Sequence, residues 1–376
     1  MRRSQRSWQS ACVPVLVALL FLCSAALAQA PSITGLSGVP ELAPLKKFYS
    51  IPNFHVGGQY DLSNETLFEQ GGKGGVTLES LGQQPLRVSY IAVGTPQRDK
   101  DGKIVNAVLI SSYYSGDAAT MYDFWYDGQK GNAFSKGAVV GPGKLIDTDK
   151  WYVIFVDALG LWGTSKPSEG LGMKFPPYTT LDMVQANYRL LKDELGVGKI
   201  KLATGVSMGA MQSYALAVMH PEFVEAIMPV GGIVKSDPVV RWLFQLMSDA
   251  MESDPVWRET KGDYYARPKD QHPNKGLMFG WSVLGQTSFS FDFRVKQPWD
   301  EVKKEVFTWE PTGDEGANLK SKAAEYDVND LLCRNRSLAD YDVAPWLNRI
   351  KARTLIIHVK NDQWLIYSTA EEAAKQ

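Results

Sequence analysis

Short apolar runs rich in β-branched residues recur along the chain at 86–93, 107–110, 151–156, 200–203, 226–230 and 354–359. They lack the polar alternation of a strand with one wet face, and a continuously apolar strand has to be covered on both sides. Between two of them, Leu181, Val184, Tyr188, Leu191 and Leu195 fall on one helical stripe, with Thr180 as the expected N-cap and Gly196 as the stop. Strand, helix, strand at this spacing requires a right-handed crossover. The expected fold class is therefore α/β, with a mostly parallel, doubly wound sheet.

The remaining sequence limits what surrounds that sheet. A chain of 376 residues with 44% apolar and 22% charged composition can bury a large core, and a formal charge of −1 lacks the basic excess that a phosphate backbone demands. Nucleic acid is not an expected partner. No internal repeat appears, and the length suits one large domain carrying an insertion. From about Ser236 to Leu332 the strand pattern breaks: Trp242, Trp257, Trp281, Trp299 and Trp309 stand among many charges, and no buried strand is apparent. This stretch reads as a largely helical cap. Behind it come a helix-like segment at 341–350, the strand signal from Arg353 and a helix from Ser368 onward.

The N-terminus is expected to be removed. Arg2, Arg3 and Arg6 precede the apolar run 12–23, and Ser24-Ala25-Ala26-Leu27-Ala28 follows, giving a secretory signal with cleavage after Ala28. The run is shorter than the roughly 20 apolar residues of a bilayer span, so no stable membrane anchor is expected. The expected organisation is 1–28 signal peptide, 29–235 core, 236–335 cap and 336–376 core return, with an exported, periplasmic or extracellular product. Cys12 and Cys23 leave with the signal. Cys333, in an apolar setting, then reads as buried filler. Asn64-Glu65-Thr66 and Asn335-Arg336-Ser337 fit the glycosylation pattern, which has meaning only in a eukaryotic secretory route.

The chemistry-bearing motif is Gly205-Val206-Ser207-Met208-Gly209, between the run 200–203 and a helical stretch. This is G-x-S-x-G in strand-turn-helix context, a turn too tight for flanking side chains that lifts a serine hydroxyl above the sheet. Ser207 is the expected nucleophile, and the Met208 N–H at the helix N-terminus one oxyanion donor. The second donor is expected in the loop after the 107–110 strand, at the Tyr114 N–H, with Gly116 allowing the chain to turn.

A serine hydroxyl needs a base oriented by an acid, in α/β-hydrolases in the chain order Ser, acid, His. Asp362, just past the last strand, is the expected acid. None of the four histidines follows it: His55 is near the start, His220 ends the helix after the elbow, His272 is in the cap and His358 lies in the strand before Asp362. His220 and His358 read as structural. The catalytic histidine is expected beyond Gln376, on a further strand and loop.

Taken with other blocks, these motifs resemble the homoserine O-acetyltransferase family of α/β-hydrolase-fold enzymes. The blocks are Asn106-Ala107-Val108-Leu109-Ile110 with Ser115-Gly116-Asp117-Ala118, Val140-Gly141-Pro142-Gly143-Lys144 with Asp147-Thr148-Asp149, Leu159-Gly160 with Gly163-Thr164, Leu181-Asp182-Met183-Val184, and the elbow. The resemblance implies a Ser207 nucleophile, Asp362 as triad acid and a cap over an acceptor tunnel. It also exposes departures: the family's substrate-binding arginine aligns with Ser248, and its later cap arginine and tyrosine fall near Trp281 and Ser288. The elbow reads Gly-Val-Ser-Met-Gly-Ala where the family usually has Gly-Gly-Ser-Met-Gly-Gly.

Without guanidinium groups, bidentate recognition of an amino-acid carboxylate is lost, so homoserine is not the expected acceptor. The expectation is an exported serine-nucleophile acyl-transfer enzyme, chiefly hydrolytic, acting on a small-molecule acyl ester; the cap aromatics, with Phe289, Phe291 and Phe293, either favour an apolar or aromatic acyl group or pack the cap's own core. Its rivals are a true acyltransferase with an alcohol or thiol acceptor, and a non-catalytic binding protein on the same fold. No cofactor or metal is expected, because the histidines are scattered and no phosphate-cradling Gly-rich loop with its Lys-Ser/Thr appears. A homodimer is left open.

Overall fold

The structure is a computed structural model and describes residues 37–64, 68–127, 138–287, 289–306 and 326–376. The signal peptide, Trp309 and Ser288 lie outside the described residues. Seven strands form one sheet: β1 (Lys47–Ile51), β2 (Leu86–Val93), β3 (Ala107–Ser111), β4 (Tyr152–Val156), β5 (Ile200–Val206), β6 (Ala226–Val230) and β7 (Arg353–Thr354). Their spatial order is β1-β2-β4-β3-β5-β6-β7. β1, β2 and β4 are joined by antiparallel pairing, and every pairing from β4 through β7 is parallel. This is the mostly parallel α/β-hydrolase sheet.

Along β3 the side chains alternate between two cores. Ala107 and Leu109 join the cluster beneath α2 (Thr180–Arg189) and α3 (Met208–Met219). Val108 and Ile110 join the opposite cluster with Ala118, Ala119 and Met121 of α1 (Ala118–Tyr122). Both faces are covered, which is why the strand reads as uninterrupted apolar sequence. Each such valine, leucine or isoleucine contributes about 1.5–3 kcal/mol by leaving water.

Three local expectations are corrected. The helix N-cap is Thr179, not Thr180: its hydroxyl accepts the Asp182 N–H and the Asp182 carboxylate accepts the Thr179 N–H, a reciprocal capping box. The segment at 341–350 is a short 3₁₀ turn, Ala344–Arg349, started by Pro345. The last strand is also shorter than its apolar run. Leu355 N donates to Ile227 O (3.1 Å), Ile357 N to Pro229 O (3.1 Å) and Gly231 N to Ile357 O (2.7 Å). The missing rung is the one that residue 229 would donate to Leu355, and proline has no N–H.

The insertion is helical, as expected. Asp237 and Asp254 each cap a helix whose first residue is proline, α4 (Pro238–Glu252) and α5 (Pro255–Thr260). Val240, Leu243, Phe244, Met247 and Met251 form the buried stripe of α4. It packs on α6 (Asn274–Thr287), where Gly276 and Gly280 allow close approach to Met251 and Met247. After α7 (Phe291–Arg294) and α8 (Trp299–Val306), the chain returns through α9 (Val328–Ala339), which runs across the 335/336 boundary. The final helix, α10 (Tyr367–Lys375), follows Asp362.

Candidate active site

Ser207 joins β5 to α3 with φ 57° and ψ −119°. A non-glycine residue at positive φ and outside the left-handed helical well is strained by of order 1–3 kcal/mol, and such strain persists only where the surroundings enforce it. They do so here: the Ser207 N–H donates to Val230 O (2.9 Å), while its carbonyl accepts from Ala210 N (2.9 Å) and Met211 N (3.1 Å). A Cβ on Gly205 would stand 2.8 Å from Ser111 O, and one on Gly209 would collide with the same carbonyl. Both glycines are therefore required by close backbone approach. The result is a partly exposed serine above the sheet at the start of a 12-residue helix.

The loop after β3 is fixed through its carbonyls. Ser112 O accepts from Gln212 Nε2 (3.0 Å), Tyr113 O from Gly116 N (3.2 Å), Tyr114 O from Arg334 Nη1 (2.8 Å), and Ser115 O from Trp162 Nε1 (3.1 Å) and Tyr326 OH (2.8 Å). Neither the Tyr114 N–H nor the Met208 N–H has an acceptor among the described residues. The Tyr114 side chain is buried, its hydroxyl donating to Asn335 Oδ1 (2.6 Å), and burial pushes its pKa well above the usual phenol value.

The next residues are held by a buried ion cluster. Lys46 Nζ lies 2.6 Å from Asp117 Oδ2 and 2.7 Å from Asp157 Oδ2, with all three side chains essentially out of solvent. Asp117 also caps α1 through Thr120 N (2.8 Å). Burial opposes its charge, yet Lys46 and the cap hydrogen bonds hold Asp117 below the usual carboxylate range. Desolvation, only partly offset by Lys46, pushes Asp157 up. Lys46 is itself raised, its desolvation outweighed by the two carboxylates.

Asp362 sits past β7, with one carboxylate oxygen accepting from Trp364 N and Leu365 N, both at 2.8 Å. Trp364 then lays its ring beside Tyr114 (6.2 Å between centroids) and Phe244 (5.3 Å), bringing the loop of Asp362 against the loop after β3 and the cap.

The α/β hydrolase fold model matches residues 135–269. Homoserine O-acetyltransferase of Haloferax volcanii is 37% identical over 282 residues, covering 69% of this chain and 66% of the relative. That of Desulfotalea psychrophila is 32% identical over 221 residues, 57% of this chain and 54% of the relative, so the chain spans only about half of that protein's length. An acetylester hydrolase structure from Corynebacterium glutamicum superposes with a TM-score of 0.65 at 21% identity, over 87% of this chain and 84% of the other. The chain is a homoserine O-acetyltransferase-like α/β-hydrolase.

In this α/β-hydrolase neither Ser207 nor Asp362 has a hydrogen bond to a histidine among the described residues. His220 is buried, its Nε2 2.8 Å from Gln185 Oε1 and its ring stacked on Tyr188 at 3.6 Å. His272 Nε2 lies 3.1 Å from Arg267 O in the cap, and His55 bridges Gly71 through its backbone. His358 is half-buried beyond the end of β7, its Nδ1 3.2 Å from Val359 O, rather than inside a strand. Cys333 is buried and desolvation pushes its thiol up to about 12, which makes it a poor nucleophile. Asn335 is buried, so its glycosylation pattern is inaccessible in the folded chain. No helix among the described residues is long and apolar enough to cross a membrane, and no metal-ligand cluster occurs among them.

At the aligned arginine position, Ser248 Oγ donates to Phe244 O (2.8 Å) and accepts from Asn335 Nδ2 (3.1 Å), the amide that also holds the Tyr114 hydroxyl. A neutral chain of hydrogen bonds thus links α4, α9 and the oxyanion loop. The aromatic wall of the site is smaller than the sequence suggested: Trp281 and Phe244 face Tyr114, whereas Trp242, Trp299, Phe291 and Phe293 are exposed. Sequence reading missed Arg334, Asn335 and Trp364. Arg334 lay in plain view on the apolar stripe of its helix, three residues from Leu331 and four from Leu338, a position where a guanidinium requires a reason.

Proposed function

We propose that this protein is an exported serine-nucleophile acyl-transfer enzyme that chiefly hydrolyses small neutral esters with apolar acyl groups, and that it does not act on homoserine. The observation that carries the reading is the strained Ser207 turn, which presents a partly exposed serine at a helix N-terminus, and among the described residues the Met208 and Tyr114 N–H groups have no acceptor. Ser207 Oγ attacks the ester carbonyl, the displaced electron pair rests on the carbonyl oxygen between the Met208 and Tyr114 N–H groups, and collapse expels the alcohol. Water then releases the acyl group. Asp362 is proposed to orient the general base.

The named activities of the relatives, homoserine O-acetyltransfer and acetyl ester hydrolysis, are both acyl-transfer reactions, which supports the reading. The neutral Ser248–Asn335–Tyr114 chain favours an uncharged alcohol portion, because Ser248 offers a carboxylate no guanidinium and Arg334, the nearby cation, is buried with its N–H groups engaged by neutral acceptors. The basic and apolar N-terminal run favours export, to the periplasm or outside the cell. A homodimer is proposed through the outer face of α4, where Val239, Trp242 and Leu246 stand exposed on one stripe.

The test is Ser207→Ala in the full-length protein, assayed on acyl esters and with a serine-directed phosphonate. Loss of turnover and labelling supports the reading; undiminished turnover refutes it. An alcohol or thiol acceptor that outcompetes water would favour the acyltransferase alternative. Wild-type protein that resists the phosphonate would favour a binding protein.

A further inference from the structure

The largest fully buried side chain is Arg334, on the helix that returns from the cap, and it has no carboxylate partner among the described residues. Each of its five N–H groups has a neutral acceptor instead. Nε donates to Tyr178 OH (3.4 Å), Nη1 to Tyr114 O (2.8 Å) and Met208 Sδ (3.7 Å), and Nη2 to Ala158 O (3.0 Å) and Leu159 O (2.8 Å). A buried cation is normally paired with an anion, because an isolated one is expensive to desolvate. Here it is satisfied by neutral acceptors with no carboxylate beside it among the described residues, and two of its five contacts are Tyr114 and Met208, the residues proposed to supply the oxyanion donors.

We propose that Arg334 is a positioning residue of the oxyanion hole, holding the peptide that follows Tyr114 by the Tyr114 carbonyl and bringing a permanent positive charge to the two residues that carry the donors. The proposal rests on Ser207 acting as the acyl-accepting nucleophile. Its physical content is twofold. The Tyr114 N–H shares its peptide with Tyr113 O, which Gly116 N holds, and Arg334 holds the following peptide at Tyr114 O, so the donor residue is fixed on both sides. A preorganised charge in a dry site also stabilises negative charge as it develops, with little reorganisation at the moment of reaction. The same fork clamps the loop after β4 through Ala158 and Leu159, so one side chain from the cap's return helix sets two loops at the C-terminal end of the sheet.

The test compares wild type, Arg334→Met, Arg334→Lys and Ser207→Ala in the full-length protein, on p-nitrophenyl acetate and with a trifluoromethyl ketone that forms an oxyanion on the serine. Arg334→Met is expected to lower kcat about 10²-fold with KM within threefold, and to weaken the ketone by a similar factor. Arg334→Lys keeps the charge and most of the volume but not the fork. It is expected to melt close to wild type, lose about tenfold in kcat and recover part of the ketone affinity, and it decides the matter if the methionine variant does not fold. A folded Arg334→Lys with kcat and ketone affinity within twofold of wild type overturns the proposal. If Ser207→Ala still turns over, the acyl-transfer reading itself fails; if it is inactive while Arg334→Lys is unimpaired, only the role of Arg334 falls.

Discussion

Replacing Ser207 by alanine and by glycine separates the chemistry of the elbow from its strain. Both variants lose the nucleophile, and both should lose turnover. They differ in the backbone: alanine keeps a Cβ at φ 57°, ψ −119°, whereas glycine occupies that region freely. The serine hydroxyl makes no capping hydrogen bond, so Ser207→Ala should be close to neutral for stability. Ser207→Gly removes strain of about 1–3 kcal/mol and gives back roughly 0.5–1 kcal/mol through the greater freedom of the unfolded chain. The glycine variant should therefore exceed the alanine variant by about 0.5–2 kcal/mol, a rise in melting temperature of roughly 0.6–3 °C for a chain of this size. Calorimetry or urea unfolding of the pair measures it. A glycine variant no more stable than its alanine counterpart would refute the argument that this turn stores strain.

Other sites give independent checks. Lys46→Met leaves Asp117 and Asp157 buried together without their cation and should destabilise by about 3–5 kcal/mol in urea unfolding, with the loss shrinking at acid pH as a carboxyl takes up a proton. Asp330, buried beside Asp327 and accepting from Ser168 N and Oγ, is raised to about 7 by desolvation and by its neighbour's charge. Between pH 4 and 7 the folded chain then holds a proton that the unfolded chain has released, so this group lowers stability as pH rises, by at most about 1.4 kcal/mol per unit. Asp330→Asn removes that slope: its stability relative to wild type should climb from pH 4 to 7 and level off above, and a flat difference would contradict the assignment. Trp242→Glu places a charge on the exposed stripe of α4 and should shift sedimentation from dimer to monomer without loss of fold.

The sheet and elbow were legible in the sequence because both are written locally. A β3 covered on two faces leaves an unbroken apolar run, and a turn that brings Gly209 against Ser111 O leaves two glycines around a serine. The Thr179 cap was also legible, since Asp182 stands three residues later, but the adjacent threonine competes for the same role. What escaped was non-local. Nothing near residue 334 reveals that three carbonyls from two other loops converge on it, and nothing within 354–359 reveals that the strand it pairs with lacks a donor. The cap aromatics misled because a tryptophan reads alike whether it lines a site, as Trp281 does, or faces water, as Trp299 does.

Pro229 has a mechanical consequence for the acid loop. With its rung missing, the stretch leading to Asp362 hangs from β6 by a few widely spaced hydrogen bonds, while the nucleophile's strand is laddered on both sides. Amide protons from Leu355 to Asp362 should exchange with solvent sooner than those of β5, which leaves the carboxylate compliant and the serine stationary. One arm of the proposed constellation is thus an anvil, and the other is sprung.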